Sequence, residues 1–159
     1  MGGHLIRTTT AFLDLVRIET RLYTGADQRL RAEHGLSLGQ FEIMSIVERI
    51  EDCRVADIMA ELAVTVGAVS KAVDRLEAAG RCRRLANPHD GRSSILELTP
   101  QGRALLAAAR PTLEAELVAR TAPVVPTAEL ARAASGLAAL RAHLEAQGYG
   151  ERRQAATPQ

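Results

Sequence analysis

Cationic side chains gather in one part of this chain. Between Ala63 and Arg92 stand Lys71, Arg75, Arg81, Arg83, Arg84 and Arg92, against Asp74, Glu77 and Asp90. Small or hydrogen-bonding residues (Thr65, Val66, Gly67, Ser70) lie among them. That mixture suits a polyanion: cations neutralise phosphates, and slim residues let a backbone approach base edges. The residues that could break bonds are arranged less usefully. Ser70 and the histidines His4, His34, His89 and His143 are scattered, with no nucleophile-elbow sequence, Gly-rich phosphate loop or metalloprotease spacing. Cys53, Cys82, His34 and His89 are not at paired ligand spacing, so no metal site and no cofactor are expected, and no enzyme. Cys82 has a second reading. Its neighbours Arg81, Arg83 and Arg84 would lower the thiol pKa and make it a redox switch, whereas the plainer reading is a small buried strand residue.

The elements that must carry these groups are legible from spacing. In VADIMAEL (55–62), Ile58, Met59 and Leu62 give a short helix one apolar face. Thr65 is placed to cap a second helix, along which Val69, Val73 and Leu76 form a stripe facing the first. Gly80 ends that helix as the residue able to turn left-handed. Val66, Gly67, Ser70, Lys71 and Asp74 are left on the solvent side, with Arg75 on its flank. RCRRLA and SSILEL then read as two strands around Asn87-Pro88-His89-Asp90-Gly91-Arg92, a turn with an arginine at its tip. The unit is a helix-turn-helix with a wing.

Residues 55–102 resemble the winged helix-turn-helix of the MarR family of bacterial transcription regulators. The resemblance rests on AVSKAVDRLEAAG (68–80), on Pro88, Asp90 and Arg92 at the wing tip, and on L-x-LTPQG at 96–102. The flanking helices extend it to roughly residues 5–146. It implies a dimer whose second helix reads the major groove while Arg92 enters the adjacent minor groove. In this family the two positions after the glycine are usually apolar; here they are Arg81 and Cys82. The family pattern also suggests that Asp90 holds Arg92 or Arg75 by a charge-assisted hydrogen bond, the alternative being that Asp90 and Gly91 simply make the turn.

Composition is compatible with a single domain bearing helical extensions. Hydrophobic residues make up 47% and aromatics 3%, with no Trp, so a core of Leu, Val, Ile and Ala is expected. The net charge of +1 excludes a generally basic coating protein; the acids lie more in the flanking helices, leaving the winged side cationic. No secretory leader and no apolar run of the ~20 residues needed to span a bilayer is visible, so a cytoplasmic protein is expected.

The rest of the chain reads as a mainly α fold. A helix is predicted over 4–34, with Leu5, Phe12, Val16, Tyr23 and Leu30 on one stripe and Leu15, Ile18 and Leu22 beside it. Together these exceed the ~100° arc of a one-sided surface helix. Gly35 closes it, and Ser37 caps a helix over 38–49 with core residues Phe41, Met44, Ile46 and Val47. Ser37, at that helix's amino end, is either a cap alone or also a phosphate contact. A short strand is expected at Arg54 and Val55. Thr99-Pro100 opens a helix carrying Leu106, Ala109, Leu113 and Leu117, with a kink expected near Ala107 to Pro111. Thr127 is expected to cap the last helix, where Leu130, Ala133, Leu137, Leu140 and Leu144 form a seam.

The expected order is therefore helix, helix, strand, helix, helix, strand, wing, strand, helix, helix. Residues 4–34 and 101–146 would form a dimerisation region, 37–100 the winged domain and 147–159 a flexible tail. The apolar arcs of the outer helices exceed what the winged unit can cover, which argues for a homodimer on pattern alone. The expected partners are double-stranded DNA and a second copy of the chain. By analogy with similar regulators, a phenolic or other aromatic effector would bind near Arg17, Tyr23, Phe41 and Met44. Repression is favoured over activation. A winged helix serving only protein–protein contacts is the competing reading.

Overall fold

The computed structural model describes residues 2–148, and side chains from residue 7 onward. The predicted Leu5 contact and all but the first two residues of the predicted tail lie outside the described residues. Six helices and one hairpin follow in order: α1 (Gly2–His34), α2 (Leu38–Arg49), α3 (Val55–Leu62), α4 (Val66–Ala78), β1 (Cys82–Ala86), β2 (Ser94–Leu98), α5 (Pro100–Thr121) and α6 (Thr127–Ala146). The strands pair antiparallel, with Cys82 opposite Leu98 and Ala86 opposite Ser94.

One apolar cluster holds the fold. Ile43, Met44, Ile46 and Val47 of α2, Ile58 of α3 and Val69, Val73 and Leu76 of α4 meet Leu96 and Leu98 of β2. Ala26 and Leu30 from α1, and Leu106 and Ala109 from α5, enter the same cluster. The winged unit is thus built onto the carboxy half of α1 and the amino half of α5. Cys82, in a position that is usually apolar in the family it resembles, is buried there and seats the first wing strand.

Local chemistry sets the boundaries. Gly80 lies at φ +66°, and its amide and that of Arg81 bond back to Glu77 and Leu76, closing α4 in a Schellman turn. Ser37 and Gln40 form a reciprocal capping box on α2. Ala63 ends α3 in the left-handed region at φ 51°, where a side chain is disfavoured.

The motif LTPQG ties the wing to α5. Thr99 Oγ1 accepts the Gly102 amide at 3.0 Å and donates to the Gly80 carbonyl at 2.7 Å. Pro100 occupies the first helical turn, where no donor is missed. Gly102 lies so close to the Arg81 backbone that a Cβ would stand 2.0 Å from its carbonyl oxygen. Only glycine fits.

Two expectations are corrected. Arg54 and Val55 form no strand: Arg54 is the N-cap of α3, and its amide is taken by Asp57 at 2.8 Å. A single backbone bond from Leu96 to the Cys53 carbonyl, 2.7 Å, is what joins that segment to the sheet. Thr127 is the first residue of α6, not its cap; Pro126 holds the cap position without a side-chain bond. Pro111 lies inside α5, which runs from Pro100 to Thr121 as one helix.

The amino half of α1 and the whole of α6 remain uncovered. Phe12, Val16 and Ile18 on α1 are largely exposed, as are Leu130, Leu137 and Leu140 on α6, and α6 buries no residue. None of the described helices is long and apolar enough to cross a membrane.

Candidate nucleic-acid interface

The exposed side of α4 and the hairpin form one surface. Thr65 accepts the Ala68 amide at 3.4 Å, so the helix opens at its cap with Val66, Gly67 and Ala68 all exposed. A Cβ added to Gly67 would meet nothing within 4 Å. Lys71 and Arg75 follow one and two turns later, both exposed, and Ser70 is half-buried beside them. Val69, Val73 and Leu76 anchor the opposite face in the core, which fixes which side α4 presents.

The arginines divide into two groups. Arg81 donates to the Gly35 carbonyl at 3.1 Å. Arg83 pairs across the hairpin with Glu97 at 2.5 Å, and the pair holds the Glu97 carboxyl below its ordinary pKa. Arg84 reaches back to Asp74 at 2.6 Å and also pairs with Glu77. Lys71, Arg75 and Arg92 have no side-chain partner among the described residues. The internal pairs therefore engage both acids of α4, Asp74 and Glu77, and leave its cations outward.

At the wing tip Asp90 makes the turn. Its Oδ1 accepts the Arg92 backbone amide at 3.0 Å, and its carbonyl takes the Ser93 amide and hydroxyl. Asn87 accepts the His89 amide and donates to Ser93 at 2.8 Å. The expected ion pair from Asp90 to the guanidinium of Arg92 or Arg75 is not formed. Asp90 positions Arg92 through its backbone instead, and the guanidinium stays exposed.

Ser37 caps α2, the first of its two expected readings. Its hydroxyl and amide are engaged with Gln40, and the neighbouring Leu38 amide already donates to the Asp27 carboxylate at 2.9 Å. The Leu38 amide at the start of α2 is thus taken by an internal carboxylate.

Cys82 corrects the thiol-switch reading. It is buried, and burial raises its pKa while its three arginine neighbours in sequence point to Gly35, Glu97 and Glu77. Cys53 is pushed up to about 11 by burial and by Asp57. Among the described residues, no three His, Cys, Asp or Glu side chains gather as a metal ion would need.

A cavity of about 520 Å³ lies between α1, α2 and α4. Of the four residues expected to line a pocket, Tyr23 does so; its hydroxyl sits over Gly39 in the first turn of α2. Arg17 is on the surface, paired with Asp14 at 3.3 Å. Met44 is in the core and Phe41 packs against it. The walls the sequence did not reveal are Arg31, Glu42, Ile43, Val64, Ala72 and Arg75. Burial, with the nearby Glu19, raises the pKa of Glu42. These residues come from three helices and the turn between α3 and α4, and only packing makes them neighbours.

A helix-turn-helix whose second helix is followed by a two-stranded wing defines the winged-helix class. Residues 36–94, the winged unit of this chain, match the family model described as MarR family. Its members are transcriptional regulators, not enzymes. Solved structures agree over most of the chain. The transcriptional regulator BldR from Sulfolobus solfataricus is 25% identical with a TM-score of 0.76, covering 85% of this chain and 96% of that one. The transcriptional repressor CouR, bound to a 23-mer DNA duplex, is 26% identical with a TM-score of 0.74, covering 80% and 89%. A MarR family regulator from Streptomyces coelicolor in complex with DNA shares the fold at 18% identity and a TM-score of 0.76, covering 86% of each chain. No curated protein sequence matches the chain.

Proposed function

We propose that this chain is a homodimeric DNA-binding repressor of transcription that works in the cytoplasm. The observation that carries the reading is the sorting of cations. Arg81, Arg83 and Arg84 are held internally, whereas Lys71, Arg75 and Arg92 face outward beside the slim start of α4. Val66, Gly67, Ser70 and Lys71 would read base edges in the major groove, with Thr65 at the helix start. Arg92 would enter the minor groove. Lys71 and Arg75 would supply much of the affinity through phosphates. The DNA-bound state of CouR, 26% identical over 80% of this chain, supports the same use of the surface.

The second copy would cover the exposed apolar residues of α1 and α6, which no element among the described residues buries. Two recognition helices would then lie about one DNA turn apart, ~34 Å, on a pseudo-palindromic site. The cavity between α1, α2 and α4 would hold a small aromatic effector. Arg75 borders both that cavity and the DNA face, so an occupant drawing on Arg75 would compete with a phosphate.

Footprinting on the DNA upstream of the chain's own gene tests the reading, with Arg92→Ala beside the parent. The parent should protect a site with affinity that falls steeply with salt. Arg92→Ala should lose ~1–3 kcal/mol of binding and keep its melting temperature. Equal binding by both would remove the wing from the interface. No binding by either would favour a module for protein contacts.

A further inference from the structure

We infer that Arg84 is the positioning residue that sets the wing against the recognition helix, a role that rests on the DNA-binding reading above. Arg84 is half-buried in β1. Its Nη2 donates to Asp74 Oδ1 at 2.6 Å and its Nη1 pairs with Glu77 Oε2, while Glu77 Oε1 accepts the Arg84 backbone amide at 3.3 Å. One strand residue is thus gripped at side chain and main chain by two carboxylates three residues apart on α4. Across the hairpin, Arg84 stands opposite Leu96, which is buried in the core. The helix that would read bases and the hairpin that carries Arg92 are locked in one relative orientation.

The clamp also explains two acids on a face meant for DNA. Asp74 and Glu77 would repel phosphates if left alone. Held by Arg84, they form an internal joint in which one guanidinium offsets one of the two negative charges and so reduces their repulsion of phosphate. A planar guanidinium bonded to two carboxylates fixes direction as well as distance, which a lysine would not do. Arg92 then reaches a second groove at a set distance from Lys71.

A double-mutant cycle tests this on the full chain, using a duplex of the DNA upstream of its own gene and a random-sequence duplex of equal length. Thermal melting checks that each variant is folded. In the parent, Arg92→Ala should weaken binding to the upstream duplex roughly five- to hundred-fold. In the Arg84→Gln background the same change should cost less than about threefold, because a freed wing no longer delivers Arg92 to its groove. Equal fold-losses in both backgrounds would overturn the clamp and leave DNA binding intact. A parent that binds neither duplex would overturn the underlying reading and the clamp with it. The pair Asp74→Asn/Glu77→Gln keeps Arg84 and removes two negative charges. Electrostatics alone demands tighter binding to both duplexes with preference unchanged. The clamp demands tighter binding to the random duplex with reduced preference for the upstream one, and an unchanged preference would overturn it.

Discussion

Asp27 Oδ1 accepts the Leu38 backbone amide at 2.9 Å, while Asp27 Oδ2 holds the Arg31 guanidinium at 2.6 Å. One carboxylate thereby docks the start of α2 on α1 and satisfies a helix-terminal donor. The bond to Arg31, then that to Leu38, keeps the Asp27 pKa below its ordinary value. A depressed carboxyl contributes stability above the unfolded pKa of ~3.9 and loses it as pH falls through the lower folded value. Asp27→Asn should therefore cost about 1–2 kcal/mol at neutral pH. The gap between parent and variant should close below about pH 4, read from denaturant midpoints across pH. A gap unchanged at low pH would mean that the charge plays no part.

The uncovered faces of α1 and α6 set the second expectation. Since α6 buries no residue against its own chain, removing residues 127–159 should leave the winged unit folded. The truncated chain should sediment as a monomer where the full chain is a dimer. A dimer surviving the truncation would move the interface to α1 alone or elsewhere.

Ala63 at φ 51° carries a side chain where glycine is favoured. Ala63→Gly relieves ~1 kcal/mol of left-handed strain and adds about 0.5 kcal/mol of unfolded-chain entropy. A net gain of about 0.5 kcal/mol is expected, seen as a small rise in melting temperature. A drop in melting temperature would show that the Ala63 methyl contributes packing that offsets the strain.

Both cysteines are buried with raised pKa values. In the native chain at pH 8 they should resist alkylation and react only on unfolding. Mild peroxide should leave DNA binding unchanged. Rapid labelling of native Cys82 would restore the thiol-switch reading.

Elements that depend on neighbours along the chain are legible in the sequence itself. The Val69–Val73–Leu76 stripe, the Thr65 cap, the Gly80 turn and the Thr99-Pro100 opening all stand where their spacing places them. Features made by residues distant in sequence are not. Arg84 reads as a free surface cation because Asp74 and Glu77 meet it only after the hairpin folds back. Cys82 offers an activated reading beside the plainer one of a buried strand residue, and the plainer one holds: Arg83 lies on the opposite face of the strand and Arg84 is held by Asp74 and Glu77. The strand expected at Arg54 and Val55 fails for a local reason, since Asp57 satisfies the Arg54 amide first. The cavity as a whole is not legible, because residues from separate helices become neighbours only through packing.

The contact between Gly102 and the Arg81 backbone leaves no slack between α5 and the root of the wing. With 22 residues, α5 is a rod of about 33 Å whose first turn is bolted to the hairpin. Swinging that rod by roughly 10° about its far end would sweep the hairpin through about 6 Å. That exceeds the ~3.4 Å rise between stacked bases, so a modest rocking of the outer helices is enough to throw Arg92 out of step with the duplex.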